Sequence, residues 1–216
     1  MNVPSSKPEP LKIYFVRHGE TAWSLTEQHT GRTDLPLTAH GEAEARALAP
    51  SLHDIAFAHV LTSPLQRARQ TCALTGLASA AVVEPDLLEW NYGEYEGLRS
   101  VDIREQRPGW SLFDDGCPGG EMPDQIAARA DRLIAKLGGL TGNVAVFSHK
   151  QFGCSLAVRW IGLTIAEGQR LGLATASLSI LGSDDHHAET RVIDTWNFVP
   201  GRFAAAPYPV PPSTHR

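Results

Sequence analysis

Two imidazoles, two guanidiniums and a carboxyl group stand in this chain where they could together move a phosphoryl group. Arg17-His18-Gly19-Glu20 follows an apolar run, Leu11 to Val16. A guanidinium can hold two phosphate oxygens by charge-assisted hydrogen bonds while a neighbouring imidazole nitrogen attacks phosphorus. Arg67 lies in Thr62-Ser63-Pro64-Leu65-Gln66-Arg67-Ala68, on the first turn of an expected helix, and a helix N-terminus already favours an anion. Glu89 falls in Leu88-Glu89-Trp90-Asn91-Tyr92-Gly93, where a carboxyl between glycines and aromatic rings could act as general acid toward a departing alkoxide. His149 ends Val146-Phe147-Ser148-His149 and, as a cation, would neutralise charge on a transferring phosphoryl group. Taken singly, each also has a plain reading: a chance tripeptide, a solvated helix face, an acidic surface loop, a hydrogen-bonded histidine at a strand end.

The elements that must position these residues alternate. Short apolar runs predict strands over 11–16, 58–62, 80–84, 143–148, 178–182 and 190–196, and apolar positions at helical spacing predict helices over 38–55, 64–77, 99–107, 121–137 and 151–161. Thr38 reads as an N-cap, and Ser63 before Pro64 reads as the start of the second helix. The alternation predicts an α/β fold, a three-layer α/β/α sandwich with a mostly parallel central sheet. Ligands of such sheets bind beyond the carboxyl ends of the strands, where His18, Arg67 and His149 all fall.

Length and composition set the frame. A chain of 216 residues and 23.4 kDa fits one domain, here 11–200, between an irregular tail over 1–10 and a Pro-rich tail over 201–216. Nineteen Lys plus Arg against 24 Asp plus Glu give a net charge of -5, which argues against nucleic acid or an anionic membrane as partner. Fifteen of the basic residues are Arg, the side chain whose planar fork suits phosphate. Cys72, Cys117 and Cys154 show no metal-ligand spacing and read as reduced thiols. With no secretory signal and no run long enough for a membrane span, the expected location is cytoplasmic. Asp184-Asp185-His186-His187 reads as an exposed hairpin turn rather than a metal cluster, and Phe113-Asp114-Asp115 as a solvated lid loop.

The ordered set of motifs resembles the histidine phosphatase superfamily, in its phosphoglycerate mutase-like branch. The match runs through Arg17-His18-Gly19-Glu20-Thr21, Thr30-Gly31-Arg32, Thr62-Ser63-Pro64-Leu65 with Arg67-Ala68, Glu89 before Tyr92-Gly93 and Glu96-Gly97, Gly120-Glu121 with Arg129, and Ser148-His149. The resemblance implies that His18 is a nucleophile forming a phosphohistidine. Arg17, Arg67 and His149 would surround the phosphoryl oxygens, and Glu89 would protonate the leaving group and then activate water. Thr30, Gly31 and Tyr92 would line the substrate side, and Ser24 and Lys150, the latter a departure from the family pattern, are expected to bind substrate beside them. It implies no metal and no other cofactor, since two Arg and two His supply the positive charge. Gly120-Glu121 would start a helix. The partner would be a small phosphorylated metabolite, and a homodimer is compatible with the sequence.

Glu89 to Glu121 spans only 32 residues, without the long basic insertion of cofactor-dependent mutases, which favours hydrolysis. The stretches around Trp23-Ser24 and Gln28-His29-Thr30-Gly31 are similar to broad-specificity sugar-phosphate phosphatases, including sedoheptulose bisphosphatase-like enzymes. A phosphomutase of the phosphoglycerate type and a phosphate-binding homologue with impaired turnover stay open as alternatives. One departure stands out. Relatives continue the last motif with glycine after the histidine and an arginine a few residues on, whereas this chain has His149-Lys150-Gln151-Phe152-Gly153-Cys154. A Cβ at 150 is expected to meet unusual backbone dihedrals, and the second-phosphate site of bisphosphatases is expected to be missing.

Overall fold

The computed structural model describes residues 10–201, so the two expected tails lie outside the described residues. In chain order the regular elements are β1 (Lys12–Arg17), α1 (Ala22–Leu25), α2 (Ala39–Leu48), α3 (Pro50–His53), β2 (Phe57–Thr62), α4 (Gln66–Leu74), β3 (Ala81–Val83), α5 (Ser100–Gln106), α6 (Leu112–Asp115), α7 (Pro123–Leu137), β4 (Asn143–Ser148), α8 (Lys150–Trp160), β5 (Leu178–Ser183) and β6 (Arg191–Phe198). The strands form one sheet in the order β3-β2-β4-β1-β5-β6. The first four are parallel, and β5 and β6 join one edge antiparallel.

Strand pleating divides the apolar residues between two cores, because successive side chains point to opposite faces. Ile13, Phe15, Val144 and Val146 pack on the side of α7 and α8, while Val16, Ala145 and Phe147 pack on the side of α2 and α4. Covered on both faces, β4 has five of its six residues buried, and this is why it reads as a continuous apolar run. In α7 the spaced residues Ile126, Ala130, Leu133, Ile134 and Leu137 are all buried. The result is the α/β sandwich expected from the sequence.

Boundaries differ where local chemistry intervenes. The helix expected over 38–55 divides into α2 and α3, because Pro50 has no N–H to continue the first ladder and can only open a new one. Thr38 caps α2 as expected, its hydroxyl accepting from Gly41 N at 3.0 Å. Ser63 does not cap the next helix: α4 starts at Gln66, with Leu65 as its flanking residue and no side-chain cap. Residues 112–115 form a short helix rather than a solvated lid loop, and Phe113 is buried edge-on to Trp90. The 184–187 segment is the expected exposed turn, with Asp184 Oδ1 accepting from the backbone of His186 and His187.

Candidate active site

The site forms because β1 and β4 are parallel neighbours in register. Arg17 pairs with Ser148, so the next residues of each strand, His18 and His149, emerge side by side with ring centroids 5.2 Å apart. A hydrogen bond from His18 N to Ser148 O at 3.0 Å fixes the two strand ends. The turn after His18 presses against α2 so closely that a Cβ on Gly19 would collide with the Gly41 carbonyl. Gly19 N donates to Thr71 Oγ1 at 3.0 Å, and Glu20 N to Glu44 Oε2 at 2.8 Å. The nucleophile candidate is thus held by its backbone on both sides.

Hydrogen bonds set the tautomers. His18 Nδ1 lies 2.7 Å from the Gly19 carbonyl oxygen, which can only accept, so Nδ1 carries the proton and Nε2 keeps a lone pair. Burial holds the His18 pKa well below the usual histidine value, and Arg67 and Arg17 lower it further. His149 is neutral in the opposite tautomer: Nδ1 accepts from Arg67 Nε at 3.1 Å, and Nε2–H donates to Ser63 Oγ at 2.8 Å. Burial depresses its pKa too, with Arg67 as the next cause. The cationic role expected for His149 therefore does not fit this arrangement, where a proton on Nδ1 would face the guanidinium. Ser63 is the residue that sequence reasoning missed here, because the Ser-Pro pair looked like a helix start.

The two arginines play different parts. Arg17 donates once, from Nη1 to the Leu173 carbonyl at 2.6 Å, and its buried Nε has no partner among the described residues. Arg67 is fully buried, and its N–H groups are engaged by His149, by Thr33 O at 2.9 Å, and by Thr30 O and Gly31 O at 3.0 Å. One of its five N–H groups remains, so the bidentate phosphate fork expected from the sequence is available on Arg17 and not on Arg67.

A cleft of about 310 Å³ opens beside His18. Of the expected residues, Arg17, His18, Ser24, Thr30, Glu89, Tyr92 and Lys150 line it, together with His29, Arg99 and Gln151. Arg67, His149 and Gly31 lie behind the wall. Gly31 supports it instead, its N–H donating to Glu96 Oε1 at 2.8 Å. Ser24 reaches the cleft with its hydroxyl engaged in the capping box of α1, accepting from Thr21 N at 2.8 Å. His29 stacks on Tyr92 at 4.5 Å, and burial lowers its pKa to about 4.

Glu89 is held by the N-terminus of α8. Its Oε1 accepts from Trp90 N at 2.9 Å and Phe152 N at 2.8 Å, and its Oε2 from Gln151 N at 3.0 Å. The aromatic residues of the motif do other work: the Trp90 indole turns into the core and donates to Glu121 O at 2.9 Å. Beneath this loop lies an ion pair. Arg129 forks onto Glu121 with two bonds of 2.8 Å and donates to the carbonyls of Asp86, Leu88 and Glu89 at 2.8, 2.6 and 3.2 Å. Glu121 therefore does not start a helix. Met122 flanks α7, and the Glu121 carboxylate belongs to the clamp on the Glu89 loop.

Lys150 is the first residue of α8 and has no positive φ, so the strain expected at this position is absent. Cys154, near the place where the resemblance leads us to expect an arginine, is buried and donates to Leu171 O at 3.3 Å. Among the described residues no cluster of three or more His, Cys, Asp or Glu is placed to hold a metal, and no helix is long and apolar enough to cross a membrane.

A histidine at a strand end with a free Nε2, an arginine beside it and a carboxyl on the cleft wall define a phosphoryl-transfer class of site. The sequence profile of the histidine phosphatase superfamily (branch 1) matches residues 13–198, and the chain belongs to that family. It is 38% identical to an acid phosphatase of Mycobacterium tuberculosis over 79% of this chain and 86% of that protein. It is 34% identical to the sedoheptulose 1,7-bisphosphatase of Saccharomyces cerevisiae over 76% of this chain and 71% of that enzyme. A solved structure of a Mycobacterium tuberculosis open reading frame superposes with a TM-score of 0.83 at 35% identity, covering 88% of this chain and 98% of that one. With this membership, the chain is a phosphoric monoester hydrolase.

Proposed function

We propose that this enzyme hydrolyses a small phosphorylated metabolite, of the sugar-phosphate kind, through a phosphohistidine on His18. The observation that carries the reading is the His18 tautomer: neutral, with Nδ1–H fixed on Gly19 O and Nε2 free at the cleft beside Arg17. In the first step Nε2 attacks phosphorus, the N–P bond forms and the ester P–O bond breaks. The phosphoryl oxygens lie against the unengaged N–H groups of Arg17, while Glu89 gives a proton to the leaving alkoxide. Water then attacks phosphorus and yields its proton to Glu89, the N–P bond breaks, and inorganic phosphate leaves. Arg67 and His149 act from behind the wall by fixing the geometry and charge around His18.

Incubation with a chromogenic phosphate ester, without added metal, should give turnover and acid-labile phosphate on the wild-type chain. His18→Ala should abolish both. Labelling that persists in the variant would refute the assignment of His18.

A further inference from the structure

Hydrolysis as proposed above, on which the following rests, requires the unengaged N–H groups of Arg17 to be aimed at phosphorus beside His18 Nε2. The main chain alone does not secure that aim. Arg17 N donates to Ser177 O and Ala176 N to His18 O, both at 3.1 Å, which fixes the strand end against Ser177. The guanidinium is held elsewhere, by its hydrogen bond to the Leu173 carbonyl, four residues back along the same loop. Between those two points the backbone passes through Ala176 with φ of 45°, a left-handed conformation that an alanine keeps only where its surroundings enforce it. Three side chains tether the stretch. Ser177 Oγ donates to Ala174 O, Ala174 N to Asn197 Oδ1, and Thr175 Oγ1 to Glu44 Oε1, each at 2.7 Å.

Of these tethers, the one to Glu44 reaches the nucleophile as well. Gly41 packs against the turn after His18, where a Cβ on it would collide with the Glu20 carbonyl, and Glu44 follows three residues on along the same face of α2. That spacing lays the carboxylate along the turn: Oε2 accepts from Glu20 N at 2.8 Å while Oε1 takes the Thr175 hydroxyl. We propose that Glu44 is a positioning residue, one carboxylate with an oxygen on the His18 turn and an oxygen on the loop that anchors Arg17, and that it sets the separation of the nucleophile and the phosphate fork. It does not line the cleft and acts through the backbone it holds. The hydroxyl of Thr175 can accept as well as donate, so Glu44→Gln preserves the bridge, accepting from Glu20 N and donating to Thr175. Glu44→Met offers neither bond.

Turnover of a chromogenic phosphate ester, and its competitive inhibition by inorganic phosphate, test this. Ki does not depend on how much of the enzyme is active, so a variant that simply folds less well loses rate and keeps Ki. Glu44→Met and Thr175→Val should each raise Ki for phosphate about 5-fold and lower kcat/KM about 10-fold, as a displaced fork requires. Combining them should cost no more than about twofold beyond Glu44→Met, because the two groups form one bridge. Glu44→Gln and Thr175→Ser should stay within about twofold of the wild type. Unchanged Ki in Glu44→Met or Thr175→Val overturns the positioning role, as do losses that multiply in the double variant or a Glu44→Gln enzyme as impaired as Glu44→Met. Any of these with a wild type that turns over and labels on His18 leaves the hydrolase reading intact. A wild type that neither turns over nor labels sinks that reading, and the role of Glu44 with it.

Discussion

Arg129 makes the strongest structural demand on the site without lining the cleft. It uses both ends of its fork on Glu121 and its remaining donors on three carbonyls of the loop that carries Glu89. Its side chain is 7% exposed and that of Glu121 16%. Arg129→Met keeps a side chain over the Phe152 ring, where the guanidinium now sits 4.5 Å from the centroid, but removes the charge. Glu121 is then left largely buried, with Asn91 N at 2.8 Å as its remaining backbone donor. Removing one partner of a buried pair costs about 3–5 kcal/mol, and for a chain of this size that lowers the melting temperature by about 6–20 °C. A double variant, Glu121→Met with Arg129→Met, removes the orphaned charge and should recover most of the stability, since buried pairs are commonly replaceable by apolar residues. It should not recover kcat, because the carbonyls of Asp86, Leu88 and Glu89 lose the group that fixes them. Thermal unfolding and kcat on a chromogenic ester, read for both variants, separate the effects. A loss below about 1 kcal/mol in Arg129→Met, or full activity in the double variant, would refute the view that this pair exists to place Glu89.

Ser63→Ala leaves the His149 Nε2–H without its acceptor inside the protein. About 1–3 kcal/mol of stability should be lost, kcat should drop about 5- to 10-fold if roughly 1 kcal/mol of this reaches the transition state, and Ser63→Thr should restore both. Wild-type kcat in the alanine variant would count against the tautomer assignment. His29 should make stability depend on pH. Burial lowers its pKa from 6.5 to about 4, so the unfolded chain takes up the proton first. Its contribution is whole above pH 6.5 and is lost as pH falls toward 4. Between pH 7 and 4.5 the wild type should lose about 2–3 kcal/mol more than His29→Phe, which keeps a ring on Tyr92. His18 and His149 shift in the same direction in both proteins and cancel in that comparison. Urea unfolding at the two pH values measures it, and equal losses would contradict the buried, neutral ring.

The sheet and most helices were legible because they obey periodicity: β4 reads as apolar throughout since helices cover both its faces, and α7 shows its buried stripe at helical spacing. The placement of His18 and His149 was legible for the same reason, as each directly follows a strand. What stayed hidden is pairing across long sequence distance. Nothing local in Gly120-Glu121 distinguishes a helix-start carboxylate from one that meets an arginine eight residues on and grips a loop thirty residues back. Ser63 carries a local signal, Ser before Pro, that its bond to His149 overrides. Phe113 beside two aspartates looks solvated, and only the packed Trp90 ring shows why it is buried.

Under the proposed mechanism, the division of labour between the two arginines lets a buried imidazole serve as nucleophile. An arginine spread over phosphate oxygens would leave its charge partly neutralised in the bound state. Arg67 is instead fixed by carbonyls alone on its Nη groups, from Thr30, Gly31 and Thr33. Glu96 holds that loop in turn by accepting from Gly31 N at 2.8 Å and Thr33 N at 3.0 Å. A chain of contacts thus runs from Glu96 through the loop to Arg67, then to His149 and Ser63, and every link in it is made by protein groups alone. The charge of Arg67 lies beside both imidazoles and, after burial, is the largest cause that keeps each unprotonated. Arg17, engaged by a single carbonyl, leaves its remaining N–H groups unengaged, and the proposed mechanism gives these to the phosphoryl group. In the proposed mechanism one guanidinium preserves the lone pair and the other receives the charge, so neither would have to reorganise as the N–P bond forms.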